Sequence, residues 1–141
     1  MAASNSWLVD GINIVSFNLH GFKNNWHYLH NLLSNNDVIF VQEHWLLPSE
    51  LHLLHSVSEH FIVFLKSAME ERCNQGLLLG RPIGGVAFFA RKALGNLVKF
   101  GGCDMDGRVI YVKLVCNSVS LLLFGCYFPC FDSLFVCLLV A

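Results

Sequence analysis

"INIVSFNLHGF", residues 12–22, decides the fold once it is read with "DVIFVQEHW", residues 37–45. Residues 12–17 are β-branched and apolar enough for a buried strand. Past Asn18 and Gly21, Trp26, Leu29, Leu32 and Leu33 recur at helical spacing up to Ser34, with Asn24 and Asn25 placed to cap the first turn. "NND" at 35–37 closes that helix, and "VIFVQ" at 38–42 is a second buried strand. Strand, helix and strand in so short a stretch is a βαβ unit, whose crossover covers a parallel or mixed sheet. Such sheets receive ligands at the carboxyl ends of their strands, where Asn18 and Glu43 stand.

Working outward, Pro48 suits the first turn of a helix, and Leu51, Leu54, Val57 and Phe61 continue an apolar stripe. "FIVFL" at 61–65 reads as a short strand, and the mixed, polar segment from Lys66 to Pro82 as a loop. The chain then turns to strands at 84–94, 97–102, 108–115 and 120–128. "DMDG" at 104–107 and "CNS" at 116–118 carry turn residues, so antiparallel hairpins are expected there. No repeat, low-complexity tract or charge block divides the chain, which reads as one domain.

A chain of 141 residues that is 55% hydrophobic and 13% charged can build a core and is not a disordered tail. Its formal net charge of -1 gives no global electrostatic argument for a nucleic-acid partner, so any such partner must be argued from a site. The six cysteines include no CxxC pair and no zinc-module spacing; they read as reduced core thiols of an intracellular protein, nuclear or cytoplasmic. "MAASNSWLVDG" has neither the basic nor the apolar region of a secretory signal. Residues 119–141 carry one charge, Asp132, over a length that could cross a bilayer. Gly125, Pro129 and Asp132 interrupt them, leaving apolar runs of strand length rather than a membrane helix.

Glu43 is the sharpest candidate for chemistry. A carboxylate directly after a buried strand is held on a rigid element at the sheet mouth, a place for a Mg²⁺ ion that needs only one or two carboxylates plus water and phosphate. Position alone favours a solvated glutamate opening a loop, and Asn18 has its own plain reading as a turn residue. His27 with His30 and His52 with His55 form i, i+3 pairs without a third ligand, so they read as solvated helix residues. His20 and His44 flank the strand ends and are expected as phosphate neighbours. Gly84 and Gly85 fit no phosphate-loop pattern and mark close backbone approach or a bulge. Arg108 and Tyr127, at strand ends, could both address a phosphate, although a surface arginine and a core tyrosine are the default readings.

"VSFNLHGF", "DVIFVQEHWL", "GGVAFFARKAL", "DGRVIYVKLV" and "LLLFGCYFP", in this order, resemble the first landmarks of the endonuclease/exonuclease/phosphatase superfamily. The flavour is that of the apurinic-like endonuclease domain of non-LTR (LINE-type) retrotransposons. The resemblance covers residues 12–129. It implies an α/β (α+β) fold, a two-sheet α/β sandwich with mixed sheet and outer helices, of which this chain would be a partial version. It implies Mg²⁺, or Mn²⁺ in its place, bound at Glu43, with Asn18 and Tyr127 as catalytic groups. Arg108 matches an arginine at the start of an internal strand. DNA is the implied partner, and no obligate protein partner can be inferred.

The departure is as informative as the match. The family continues into a "GDFN"-type strand and a terminal Asp-His pair, and "CFDSLFVCLLVA" contains neither. The resulting expectation is an N-terminal extension at 1–11, a truncated domain at 12–129 and an unrelated apolar tail at 130–141. Such a product is expected to be inactive alone, because catalytic groups act as a unit. One sheet without its partner is further expected to leave a large apolar face exposed. The competing readings are a nucleic-acid or protein-binding module without cleavage, and a small membrane-associated protein held by residues 119–141.

Overall fold

The computed structural model describes residues 11–116, 119–129 and 134–140. The proposed extension up to residue 10, most of the "CNS" turn and residues 130–133 lie outside the described residues. Two four-stranded sheets make the frame. In the first, strand β1 (Ile14–Asn18) runs parallel to β2 (Val38–Gln42), joined by helix α1 (Phe22–Asn35). Strand β4 (Val86–Arg91) lies antiparallel to β2 and β3 (Phe61–Lys66) antiparallel to β4, giving the order β1-β2-β4-β3. The second sheet is an antiparallel meander of β5 (Val98–Cys103), β6 (Val109–Cys116), β7 (Val119–Pro129) and β8 (Leu134–Val140).

Alternation along β2 distributes its side chains to two cores. Val38 and Phe40 point to the second sheet and pack with Val86, Phe88, Ile110, Val112, Leu123 and Tyr127. Ile39 and Val41 point the other way and pack with Leu29 and Leu33 of α1 and with Leu54. Burial on both faces is why this strand reads as an unbroken apolar run. The expectation of a lone sheet with an exposed apolar face is therefore corrected. Strands β5 to β8 build a second sheet of their own, and it covers the first.

Local boundaries differ from the sequence reading for physical reasons. Helix α1 begins at Phe22, not at an Asn24 or Asn25 cap, and Gly21 precedes it with φ 97°. Its first free N–H groups find tertiary partners: Gly21 donates to the Glu43 carbonyl at 2.8 Å and Phe22 to the His44 carbonyl at 2.9 Å. The apolar stripe after Pro48 is split between a 3₁₀ turn (Pro48–Glu50), the single-turn helix α2 (His52–His55) and the start of β3. The segment expected to be loop contains a short helix, α3 (Glu70–Asn74), and the strand expected over 84–94 ends at Arg91 in a 3₁₀ segment (Lys92–Leu97).

At the end of the sheet remote from Glu43, Arg91 locks α1 to β4. Its guanidinium donates to Asp37 Oδ1 at 3.1 Å and to the Leu33 and Asn36 carbonyls at 3.0 and 2.7 Å. A cation on the last carbonyls of a helix satisfies orphan acceptors and opposes the helix dipole. Among the described residues no helix is long and apolar enough to cross a membrane; Val119–Pro129 and Leu134–Val140 are paired strands.

Candidate functional site

The carboxyl ends of β1 and β2 open into a cleft of about 390 Å³. Glu43 follows β2 directly and takes φ 54°, a left-handed conformation shared by His20 (φ 53°) and Trp45 (φ 56°). Such backbone is costly for residues with side chains, on the order of 1–3 kcal/mol each, and its concentration here marks a place where surrounding structure dictates the conformation. Gly85 and Gly21 permit it. A Cβ on Gly85 would stand 2.3 Å from the His44 ring, and one on Gly21 would stand 2.6 Å from the Trp45 ring. The close-approach reading of the "GG" pair thus holds at Gly85.

Glu43 is 7% exposed, and both carboxylate oxygens are engaged. Its Oε2 accepts from His20 Nδ1 at 2.9 Å, and its Oε1 accepts from the Tyr127 hydroxyl, which arrives from the second sheet. Burial, and then the Glu43 carboxylate, push the Tyr127 phenol up to about 12, so it stays a hydrogen-bond donor throughout the physiological range. Asn18 supports this arrangement from beneath: its Oδ1 accepts the His20 N–H at 3.0 Å and holds the left-handed turn. Asn18 itself does not line the cleft.

Arg108 lines the cleft beside Tyr127 and is tied to it through the backbone, the Tyr127 N–H donating to the Arg108 carbonyl at 2.7 Å. The "DMDG" turn fixes Arg108 in place, since Asp104 Oδ1 accepts the N–H groups of Arg108 and Val109 at 2.8 and 2.9 Å. Four sequence candidates, Glu43, His20, Tyr127 and Arg108, therefore meet in one cleft.

His44 does not join them. It is 0% exposed, its Nε2 donates to the Lys66 carbonyl at 3.0 Å, and its Nδ1 accepts the Leu46 N–H at 3.0 Å. One acceptor and one donor fit only the neutral ring, and burial pulls the imidazole down to about 4. The expectation of His44 as a phosphate neighbour is replaced by a buttress that shapes the loop carrying Glu43.

Sequence reasoning misses a cluster around the Trp45 ring on the same rim. The Arg81 guanidinium lies 4.4 Å from the centroid of the Trp45 ring, and the His20 ring lies 4.7 Å from it. Arg72, Glu71, Ile83, Met105 and Asp106 complete much of the wall. No local signal marks these residues, because the loop bearing Arg81 meets Trp45 only through the fold.

No protein-family model and no curated protein matches the chain. Among solved structures, the AP endonuclease LMAP from Leishmania major superposes with a TM-score of 0.63 at 17% identity, over 84% of this chain and 40% of that one. The 3' phosphatase NExo from Neisseria, bound to a product DNA hairpin, and the 3'-5' exonuclease NExo from Neisseria meningitidis give TM-scores of 0.47 and 0.45, each at 18% identity over 79% of this chain and 40% of the other. The chain spans about 40% of the length of these structures. Its mixed α/β architecture of two sheets with outer helices is the endonuclease/exonuclease/phosphatase fold.

Proposed function

We propose that the cleft is one half of a Mg²⁺-dependent phosphodiesterase centre of the LINE-type endonuclease kind, and that these 141 residues bind nucleic acid without cutting it. The observation that carries the reading is the Glu43 carboxylate at the end of a buried strand, met by the Tyr127 hydroxyl from 84 positions away and by His20. A core tyrosine has no need of a buried carboxylate, and a solvated loop glutamate would not be 7% exposed.

The residues fit a hydrated Mg²⁺ and not a protein cage. Glu43 is one anionic oxygen ligand facing an open cleft, which suffices for an ion that keeps most of its waters and takes the rest of its shell from phosphate. Among the described residues no three His, Cys, Asp or Glu side chains gather into a fuller site. Bound there, the ion would supply Lewis-acid stabilisation of a phosphoryl oxygen. Glu43 would hold it, His20 and Tyr127 would fix the orientation of that carboxylate, and Asn18 would act through the His20 turn. Arg108 would contact the phosphate in the manner that favours guanidinium over ammonium.

Inactivity follows from the groups the sequence does not contain. Without the Asp-Asn and Asp-His pairs that the resemblance calls for, no residue is assigned to take the proton from water, and such groups are not additive. The test is nicking of supercoiled plasmid and of an abasic duplex, in Mg²⁺ and in EDTA, by wild type and Glu43→Ala, with Mn²⁺ binding followed by electron paramagnetic resonance. The expected result is Glu43-dependent Mn²⁺ binding without nicking. Nicking lost in Glu43→Ala would overturn the inactivity, and Mn²⁺ binding indifferent to that substitution would overturn the site.

A further inference from the structure

The four arginines of the chain divide sharply. Arg91 is spent on the fold, pairing with Asp37 at 3.1 Å at the far end of the sheet. Arg72, Arg81 and Arg108 line the one cleft that Glu43 opens into, and among the described residues none of them pairs with a carboxylate, although Glu71 and Asp106 stand in the same wall. They come from three separate segments: α3, the loop before β4, and the turn that leads into β6. Arg108 is beside Tyr127 and the Glu43 centre. Arg72 and Arg81 stand on the part of the wall built from α3 and the loop before β4.

Arg81 has a further feature. Its guanidinium rests over the Trp45 ring at 4.4 Å, and that ring also lies against Gly21, where an added Cβ would stand 2.6 Å from it. A guanidinium held over an aromatic face is restrained there and can still use its N–H donors for a bidentate bond to a phosphate. A lysine has no plane to stack and would be held less well.

We propose that Arg81, oriented by Trp45, and Arg72 form a second phosphate subsite beside the Glu43 centre, so that the cleft takes a nucleic-acid strand with at least two consecutive phosphates. The assignment deepens the phosphodiesterase reading and rests on it. Trp45 is a positioning residue in this scheme, acting through Arg81. A mononucleotide or a lone phosphomonoester would occupy only the Glu43 and Arg108 side.

Binding in EDTA separates this subsite from the metal centre. Fluorescence anisotropy of a labelled single-stranded 12-mer should show Arg72→Gln with Arg81→Gln lowering affinity about tenfold, and reducing the slope of log K against log salt by roughly 1.4, near 0.7 for each phosphate no longer neutralised. Lys99→Gln with Lys113→Gln removes two charges that face each other across β5 and β6, outside the cleft, and should leave both quantities as they were. Arg81→Lys should fall between wild type and Arg81→Gln, and Trp45→Leu should add no further loss to Arg81→Gln. A dinucleotide with one phosphate should be indifferent to Arg81. Equal losses from the two double variants, no loss from the arginine pair, or no binding by the folded wild type would each overturn the proposal. A Glu43 without affinity for Mn²⁺ would remove the metal centre and leave the arginine result to stand by itself.

Discussion

The Tyr127 hydroxyl, carried on the second sheet, donates to Glu43 Oε1 at the end of the first, so one hydrogen bond joins the two sheets at the mouth of the cleft. It is charge-assisted and buried, and such bonds lose strength when either partner changes charge. Tyr127 is pushed up to about 12, by burial first and by Glu43 second. Since the folded value lies above that of a free phenol near 10, this group contributes stability in full below about pH 10 and loses it as pH rises to about 12. Tyrosinate absorbance should show one late transition in wild type that moves to lower pH in Glu43→Gln, while remaining above about 10 because burial persists. An unmoved transition would mean that the carboxylate contributes nothing.

His44 gives the opposite dependence at acid pH. Its ring is neutral in the fold and held down to about 4, against 6.5 for the free side chain. The unfolded chain therefore takes up a proton first, and stability that is complete above about pH 6.5 is lost as pH falls towards 4, by about 3 kcal/mol at most. The urea midpoint of wild type should drop over that window. His44→Gln should be less stable at neutral pH and flatter below it. A parallel drop in both proteins would assign the acid sensitivity to other groups.

How much of this is legible in sequence depends on whether the determining interaction is local. β2 can be read residue by residue because burial on both faces demands an apolar run, and β4 follows from the same chemistry, whereas β1 and β3, half-buried at the sheet edges, are legible from their β-branched and aromatic composition. Glu43 and Tyr127 are legible as strand-end residues, but that they touch is a property of the sandwich. The start of α1 escapes a local reading because its first N–H groups are satisfied by the Glu43 and His44 carbonyls, some twenty residues away, rather than by a nearby asparagine. His44 escapes it for a related reason. The left-handed backbone at Glu43 breaks the strand alternation, so counting by twos no longer tells which way the next side chain points. Arg81 gives no signal at all, since its partner Trp45 lies 36 positions earlier on the far side of four elements.

Gly125 and Phe40 set the spacing between the sheets. A Cβ on Gly125 would fall 1.9 Å from a Phe40 ring carbon, and Phe40 is fully buried. Gly125→Ala should destabilise by about 1–3 kcal/mol, the usual cost of forcing a methyl into a packed core. Phe40→Leu in the same chain should recover part of that loss, although alone it destabilises. Thermal or urea unfolding of the four proteins checks the coupling, and additive losses would show that the glycine is needed for some reason other than the ring.

Beneath the site, Gln42 tests whether a buried polar pair there serves stability. It is 0% exposed, its Nε2 donates to Ser16 Oγ at 2.7 Å, and its Oε1 has no partner among the described residues. Ser16→Ala alone strands the amide N–H and should cost about 1–3 kcal/mol, the penalty of an unmet buried donor. Gln42→Met removes the amide at nearly constant volume and trades one good hydrogen bond against one orphan acceptor, so it should change stability by less than about 1.5 kcal/mol in either direction. Once the amide is gone, Ser16→Ala should cost almost nothing more, because the half-buried hydroxyl was there to receive it. A double-mutant cycle read by urea unfolding therefore gives a coupling energy comparable to the Ser16→Ala loss. If Gln42→Met instead costs more than about 3 kcal/mol, Oε1 holds a donor from a neighbouring segment, and the pair belongs to a larger buried network at the base of the cleft.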